Sequence, residues 1–397
     1  MKKILFINFA PIDENSGHTF RLAFELFELS KIFNIHILCA RKGGESTFAK
    51  KRYKNVNFSN FQLEFSGWEI NNISKFMNFV LEKDAKNKFD LIIVNMEVWS
   101  VIRALAKSII YSKVCVVFHG MPFLGYLHNP TWNFNLDVKN KIKVETEKFK
   151  SEFNKKYHPE CEKILSKINC IASNKTCSYF LKKYFKDLKI WTMDKYPRLS
   201  LYKQFSRKDF NFAYMARIES GKGMEFLPKI FEHISKNTDR KIKVAILGKI
   251  DDEASKLYLD KLKNNSIKNI GIKYFGHADT KLKKKILSKT KVFIYPSVYD
   301  NNPTVVYEAV SFGLPIVMWN TLFSKINFGK LDFVKLIQFK KANKFAKICL
   351  DLTENSKVYN KAIMKFLTNR LYSAKEIASI DAKIFNQIYN SINENCK

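Results

Sequence analysis

Residues 295–319 have the sequence YPSVYDNNPTVVYEAVSFGLPIVMW. An apolar strand ends in a polar loop. Asn302 followed by Pro303 then predicts a helix start, because asparagine favours the capping position and proline the first helical one. Gly313 predicts the end of that helix, and the apolar run from Pro315 predicts the next strand. Two strands joined by a helix are the βαβ unit of a parallel sheet.

Short apolar runs of the same kind recur on both sides of this unit, with helical patterns between them. The runs are continuous rather than alternating, which is typical of strands covered on both faces. The sequence therefore predicts an α/β protein with two doubly wound, Rossmann-like parallel-sheet domains facing across a cleft. The predicted strands are 3–9, 35–40, 90–95, 113–119 and 168–173 in the first half, and 211–216, 242–248, 271–276, 291–297 and 315–319 in the second.

The periodic pattern stops near 195–207, around Pro197. We therefore predict a first domain over residues 1–200 and a second over 201–372. The tail over 373–397 has the pattern of an amphipathic helix with no strand after it, and we expect it to pack back on the first domain. The segment 129–160 predicts a long basic helix inserted in the first domain.

The composition excludes several classes of protein. The 397 residues are 46% hydrophobic, which excludes a disordered chain. The 69 basic and 37 acidic side chains give a net charge of +32, which favours polyanionic partners such as nucleic acid, anionic lipid or phosphorylated substrates. Seven cysteines without a CxxC pair fit a reducing cytoplasm. No apolar run approaches the roughly 18 residues of a spanning helix, so we expect any membrane contact to be peripheral.

The loop and helix within 295–319 predict an anion site. A helix start carries unpaired amides and the positive end of the helix dipole. Asp300 precedes this helix, and Glu308 lies a turn or more inside it. The residues predicted to surround a bound anion are Asn302, Pro303, Thr304 and Val305.

The spacing of Asp300 and Glu308, followed by Ala309 and SFGLPIV, resembles the acidic-x7-Glu signature of family 4 retaining glycosyltransferases, which have the GT-B fold. The family usually has glutamate at the first position. In that family the second acid holds the ribose hydroxyls of a nucleotide, and the first lies near hydroxyls of the donor sugar. The resemblance therefore implies that Glu308 binds ribose and that Asp300, one methylene shorter than usual, binds the sugar.

The segment NFAYMARIESGKGMEFL, residues 211–227, strengthens this resemblance. Its strand is followed by Arg217 and then by Lys222 and Gly223, which is similar to the family's strand-Arg-x4-Lys-Gly element. The resemblance implies that both cations hold the diphosphate of the donor. Cations of this kind stabilise the negative charge of the leaving diphosphate without a metal, so we expect no metal and no cofactor.

Further elements resemble the family more weakly. Gly17 stands where the family commonly has a Gly-Gly pair, and a glycine allows the backbone to approach phosphate. His119, which ends the fourth predicted strand, resembles the histidine that the family places beside the donor sugar. The stretch 275–297 resembles a family linker whose backbone meets the nucleobase. In this sequence the implied contacts with the base are Gly276, His277 and Ala278.

The resemblance implies a retaining, metal-independent hexosyltransferase that uses a UDP- or GDP-sugar. The implied acceptor is a glycan or a lipid-linked glycan of cell-envelope polysaccharide, lipopolysaccharide or glycoprotein synthesis, in the cytoplasm or at the cytoplasmic face of the inner membrane. The basic stretches 141–156 and 281–291 carry Phe149, Phe153 and Leu287 among their lysines. We expect these stretches to contact an anionic leaflet.

Two other classes of function stay open at this point. A catalytically degenerate, glycosyltransferase-like partner protein is consistent with Asp300 in place of glutamate and with the single Gly17. The charge alone is consistent with a nucleic-acid-binding protein, although no helix-turn-helix, zinc-finger or RNP motif supports specific binding. A sugar-nucleotide epimerase or a phosphorylase-like enzyme does not explain the basic and acidic motifs together.

Overall fold

The computed structural model describes residues 1–9, 12, 20–40, 53, 55–66, 69–119, 158–185, 187–197, 208–219, 221–250, 253–264, 267–298, 300, 303–369 and 371–394. These residues form two compact units. Residues up to 119, residues 158–197 and residues 372–394 belong to the first unit, and residues 208–371 belong to the second. Most of the predicted basic helix over 129–160 lies outside the described residues.

Strands and helices alternate along most of the chain. The strands are β1 (Lys3–Asn8), β2 (Asn34–Cys39), β3 (Asn57–Asn60), β4 (Phe65–Ser66), β5 (Glu69–Ile70), β6 (Leu91–Val94), β7 (Val114–Phe118), β8 (Asn169–Ala172), β9 (Ile190–Thr192), β10 (Tyr196–Pro197), β11 (Phe210–Met215), β12 (Ile242–Leu247), β13 (Ile270–Tyr274), β14 (Thr290–Tyr295), β15 (Ile316–Trp319), β16 (Val334–Ile337) and β17 (Leu371–Tyr372).

The helices are α1 (Phe20–Leu29), α2 (Ile73–Asn87), α3 (Trp99–Ala106), α4 (His158–Leu165), α5 (Lys175–Tyr184), α6 (Leu227–Lys236), α7 (Glu253–Asn264), α8 (Thr280–Leu287), α9 (Thr304–Ser311), α10 (Leu322–Phe328), α11 (Ala342–Asn355), α12 (Asn360–Asn369) and α13 (Ala374–Glu394). Short 3-10 turns occur at Tyr111–Lys113, Met224–Phe226 and Ser356–Tyr359. No helix of the described residues is both long enough and apolar enough to cross a bilayer.

The first unit is built on a seven-stranded sheet in the order β3-β2-β1-β6-β7-β8-β9, with every neighbouring pair parallel. Its central strands β6 and β7 are buried along their whole length, as expected of a sheet covered on both faces. The five strands predicted in the first half of the sequence are confirmed. The edge strands β3 and β9 were not predicted.

The C-terminal helix α13 packs on α1 of the first unit. At this contact the Arg21 guanidinium donates to both carboxylate oxygens of Asp381, at 2.8 and 2.5 Å, and also to the carbonyl of Lys195. Phe385 of α13 packs against Phe6 and Phe33, with ring centroids 6.1 Å apart in both pairs. A buried ion pair and an aromatic cluster therefore attach the last helix of the chain to its first strand and helix.

The second unit has a six-stranded parallel sheet in the order β13-β12-β11-β14-β15-β16. The five strands predicted in the second half are confirmed, and β16 adds one at the edge. The sheet begins at β11, continues on one side through β12 and β13, and resumes on the other side at β14. The two Rossmann-like parallel sheets confirm the predicted fold class.

The described cysteines are free and buried: Cys39, Cys115, Cys161, Cys170, Cys177 and Cys349. Burial raises the pKa of Cys161 and of Cys170 to about 12, because an apolar environment disfavours the thiolate. These thiols are therefore neutral near pH 7 and pack as small hydrophobic side chains.

Candidate functional site

The candidate site lies at the carboxyl ends of β11 and β14 in the second unit. The two strands are neighbours in the sheet, but the chain leaves them toward opposite sides. In an open α/β sheet such a switch point leaves a crevice outside the strand ends, where ligands bind. The loop after β11 carries the predicted Lys222, and the loop after β14 carries the predicted Asp300.

Backbone contacts join these two loops. The carbonyl of Gly221 accepts hydrogen bonds from the hydroxyl and the amide of two residues in the other loop, Ser297 Oγ and Val298 N, both at 3.0 Å. Gly223 has φ 92°, and a Cβ atom added there would lie 2.2 Å from the carbonyl oxygen of Pro296. Only glycine fits this close approach, so Gly223 sets the distance between the two loops.

Lys222 and Asp300 meet across these joined loops. Lys222 Nζ lies 2.8 Å from Asp300 Oδ2, and the Tyr295 hydroxyl donates to the same oxygen at 2.7 Å. The side chains of the pair are only 17% and 18% exposed. Burial, and then the negative charge of Asp300, raise the pKa of Tyr295 well above its ordinary value. Tyr295 therefore stays protonated as a donor and fixes the carboxylate together with the lysine.

Two further side chains, which the sequence interpretation missed, hold the loop after β11. The hydroxyl of Tyr214 donates to the carbonyl of Lys222 at 3.1 Å. Glu225 Oε1 accepts from the amide of Gly221 at 3.3 Å, and burial raises the pKa of this carboxyl group. Local spacing offered no signal for either contact, because both depend on how the loop turns back on its strand.

Arg217, which was predicted to hold the diphosphate together with Lys222, is far more exposed than that lysine. Its side chain is 62% exposed, and its guanidinium pairs with Glu219 at 2.9 Å. A partner two residues away satisfies the guanidinium locally.

The helix after the Asp300 loop begins one residue later than the sequence suggested. Pro303 has ψ 105°, an extended conformation, and occupies the position before the first helical residue, Thr304. The first-turn amides of Thr304 and Val305 lie at the end of the helix that faces the loop. Asn302 lies outside the described residues. Gly313, with φ 71°, ends the helix as predicted.

Glu308 forms an ion pair that was not expected. Its Oε2 lies 2.8 Å from Lys283 Nζ on α8, and the two side chains are 25% and 26% exposed. The only sequence signal at Lys283 was its place in the basic stretch 281–291. Within that stretch Lys289 pairs with Asp209 at 2.9 Å.

The expectation that Leu287 contacts a membrane is wrong. Leu287 has no exposed surface, because it lies on the face of α8 that packs into the unit. The other predicted basic stretch, over 141–156, lies outside the described residues.

The loop that precedes α8 contains the three residues assigned to the nucleobase. Gly276 has φ 70°, and an added Cβ there would meet nothing within 4 Å, so its backbone borders open space. Its carbonyl accepts from the amide of Gly248 at 2.8 Å. His277 is exposed, whereas Ala278 is buried. The loop therefore presents backbone at an open edge of the sheet.

A second polar array lies at the strand ends of the first unit. His119 Nε2 lies 3.1 Å from Asn95 Oδ1, and the amide of His119 donates to Glu97 Oε2 at 3.0 Å. Asn95 Nδ2 in turn donates to the side-chain oxygen of the buried Asn8 at 2.8 Å. Asn8 ends β1, whereas Asn95 and His119 directly follow β6 and β7, and these three strands are neighbours in the sheet. Gly17 lies outside the described residues.

Two further features of the described residues concern metal-ligand clusters and cavities. Among the described residues, no three histidine, cysteine, aspartate or glutamate side chains cluster in a way that could hold a metal ion. A cavity of about 290 Å³ lies at the opposite, amino edge of the second sheet, between the ends of α6 and α11.

Comparisons with known proteins give consistent results. Residues 202–375 match the family described as "Glycosyl transferases group 1". No curated protein matches the chain. Among solved structures, sucrose-phosphate synthase from Thermosynechococcus elongatus is similar with a TM-score of 0.72 at 12% identity, over 98% of this chain and 100% of that one.

Two other solved structures are similar over almost the whole chain. A glycosyltransferase from Rickettsia africae has a TM-score of 0.65 at 15% identity, over 98% of both chains. The Anabaena protein HepE, solved with UDP and glucose, has a TM-score of 0.62 at 11% identity, over 97% of this chain and 100% of that one. The chain has the GT-B fold, and its region 202–375, which contains the Lys222 and Asp300 site, matches the model of the group 1 glycosyl transferases.

Proposed function

We propose that this protein is a retaining, metal-independent glycosyltransferase that transfers a hexose from a UDP- or GDP-sugar to an acceptor bound by the first unit. The observation that carries the proposal is the contact between Lys222 and Asp300, at 2.8 Å, in the crevice beside the start of α9. At the carboxyl ends of β11 and β14, a cation and first-turn amides can bind a diphosphate, and the acid can bind the sugar joined to it. The solved complex of HepE with UDP and glucose favours a donor of this class.

The proposed reaction places charge where the site can stabilise it. The bond between the sugar C1 and the diphosphate oxygen breaks, and the diphosphate gains negative charge beside Lys222 and Arg217. The acceptor oxygen attacks C1 from the face that the diphosphate leaves, and a diphosphate oxygen takes its proton. Asp300 binds a sugar hydroxyl, Glu308 binds the ribose, and His119 orients the donor sugar. Each of these roles is part of the proposal.

Binding of nucleotide sugars tests this proposal first. We expect one UDP- or GDP-sugar to raise the melting temperature of the wild-type protein, because a ligand that binds only the folded state stabilises it. Glu308→Ala should lose that shift. Absence of a shift with every UDP- and GDP-sugar contradicts the proposal.

Catalysis is tested separately from binding. Slow hydrolysis of the bound donor should release UDP or GDP from the wild-type protein. If the protein binds the donor tightly but never releases the nucleoside diphosphate, the result supports the alternative of a catalytically degenerate partner protein. Nuclear magnetic resonance of the transferred sugar gives its anomeric configuration, and an inverted product excludes the retaining mechanism.

We further propose that the acceptor is a glycan or a lipid-linked glycan of envelope, lipopolysaccharide or glycoprotein synthesis, met at the cytoplasmic face of the inner membrane. Its support is the net charge of +32 together with exposed lysines on α8. The protein should sediment with anionic vesicles at low salt and not with neutral ones. Failure to sediment with anionic vesicles at low salt contradicts membrane contact.

A further inference from the structure

The ion pair between Lys283 and Glu308 joins two helices of the second unit. Lys283 lies on α8 between β13 and β14, and Glu308 lies on α9 after β14. The charged atoms are 2.8 Å apart, and about three quarters of each side chain is withdrawn from solvent. Such a pair is less screened than a surface pair, so it holds its geometry more firmly.

The pair has a defined place relative to the proposed nucleotide, and the inference rests on that proposed function. Lys283 lies one turn into the helix that follows the Gly276–Ala278 loop, the segment assigned to the nucleobase. Glu308 lies one turn into the helix that follows the Asp300 loop, the segment assigned to the diphosphate. The pair therefore bridges the elements assigned to the two ends of a nucleoside diphosphate, and the ribose lies between those ends.

The lysine constrains what the carboxylate can do. A carboxylate has about four acceptor positions on its two oxygens, and Lys283 occupies one on Oε2. Fixing that oxygen restricts rotation of the group, which leaves the other oxygen oriented for neighbouring hydroxyl donors. The ammonium charge also offsets the repulsion between Glu308 and a diphosphate nearby.

We propose that Lys283 is a positioning residue of the nucleotide site, which orients Glu308 for the paired 2′ and 3′ hydroxyls of a ribose. The chain consequently selects ribonucleoside diphosphates over their 2′-deoxy forms. This assigns a specificity role to a lysine outside the basic and acidic motifs of the sequence.

The test measures binding of UDP and of 2′-deoxy-UDP by calorimetry, or of GDP and 2′-deoxy-GDP if the protein binds GDP. We expect the wild-type protein to prefer the ribonucleotide by about 10-fold, the value of one hydrogen bond to a charged group. Lys283→Met and Glu308→Gln should each reduce the preference to about threefold or less. Lys283→Arg should keep most of it, because arginine also pairs with carboxylate.

Lys347→Met on α11 is the matched control, because Lys347 is an exposed lysine inside a helix of the same unit. It should keep the wild-type preference. If Lys283→Met does not fold, Lys283→Gln replaces it as the neutral variant.

The outcomes separate this inference from the proposed function. If Lys283→Met weakens both nucleotides equally and keeps the ribose preference, the lysine supplies charge alone and the positioning role is overturned. If the wild-type protein binds the ribonucleotide without preference, the selectivity is overturned while the proposed function stands. If the wild-type protein binds neither UDP nor GDP, the proposed function fails, and the assignment of Lys283 fails with it.

Discussion

Lys222 and Asp300 form an ion pair of 2.8 Å although 78 residues separate them in the chain. One belongs to the loop after the first strand of the second unit, and the other to the loop after its fourth. The Tyr295 hydroxyl fixes the shared carboxylate oxygen from the strand below. The lysine and the acid are thus preorganised before any ligand is bound, which lowers the cost of arranging them around a charged substrate.

Removing the charge of Lys222 should slow catalysis. We expect Lys222→Ala to lower turnover of the donor by on the order of 10² or more, because the leaving diphosphate loses a cation that stabilises its developing charge. Release of nucleoside diphosphate from saturating donor measures the effect. Lys347→Ala serves as the control, and unchanged turnover in Lys222→Ala would show that Lys222 does not bear leaving-group charge.

Breaking the pair should also affect stability. Asp300→Asn leaves Lys222 largely buried beside a neutral amide, and we expect it to lower the free energy of unfolding by roughly 2 kcal/mol, between the values of surface and buried pairs. The double variant Lys222→Met with Asp300→Asn should cost less than the sum of the single variants. Urea unfolding of the four proteins gives the coupling, and strictly additive values contradict a direct interaction.

The glycines of the loop after β11 provide a matched pair of substitutions. Both Gly221 and Gly223 have positive φ, 85° and 92°, but an added Cβ clashes only at Gly223, against the backbone of Pro296. Gly221→Ala should cost about 1–2 kcal/mol for its left-handed backbone. Gly223→Ala should cost clearly more and should also weaken nucleotide binding, because the two loops must separate. Denaturant midpoints compare them, and equal losses contradict the close approach.

Burial explains which strands could be predicted from the sequence. The predicted strands other than β13 are mostly buried, and their apolar runs are nearly continuous, as strands covered on both faces require. The edge strand β13 was found although its residues are partly or largely exposed. Three strands of the two large sheets were missed, β3, β9 and β16, and all three lie at sheet edges. The short strands β4, β5, β10 and β17, which form two-stranded sheets, were missed as well. The four residues of β3, NFSN, are partly or largely exposed, so they lack the apolar run that marks a central strand.

Only the site residues that stand in short sequence motifs could be predicted. Lys222, Asp300 and Glu308 stand in short motifs, and their positions in the chain indicated a role. Lys283 had no such signal, because its partner lies 25 residues away on another helix and only packing brings them together. Arg217 shows the reverse case, in which a residue within a motif pairs with its own neighbour, Glu219.

Glu25 should make stability depend on pH. Burial, and then the charge of Asp381, raise the pKa of Glu25 well above its ordinary value of 4.5. Arg21 already binds both oxygens of Asp381, so Glu25 is the carboxyl group that keeps its proton. Because the folded state holds this proton more tightly than the unfolded chain, the stabilisation is complete below the ordinary pKa and is lost as pH rises through the folded one.

The isosteric variant Glu25→Gln isolates this group, since the amide can still donate to Asp381 and does not titrate. Melting temperatures between about pH 4 and about pH 8 should fall more steeply for the wild-type protein than for the variant. Parallel curves for the two proteins would place the carboxyl pKa of Glu25 at its ordinary value.

The attachment of α13 to α1 has a consequence for how the protein forms during translation. The first unit needs residues up to 394, including Asp381 and Phe385, to cover its first helix. Residues 208–371 of the second unit precede that helix in the chain, so they are synthesised before it. On the ribosome, domains generally fold as units in the order of their emergence. Here the unit that starts first is completed last, after the second unit has been synthesised.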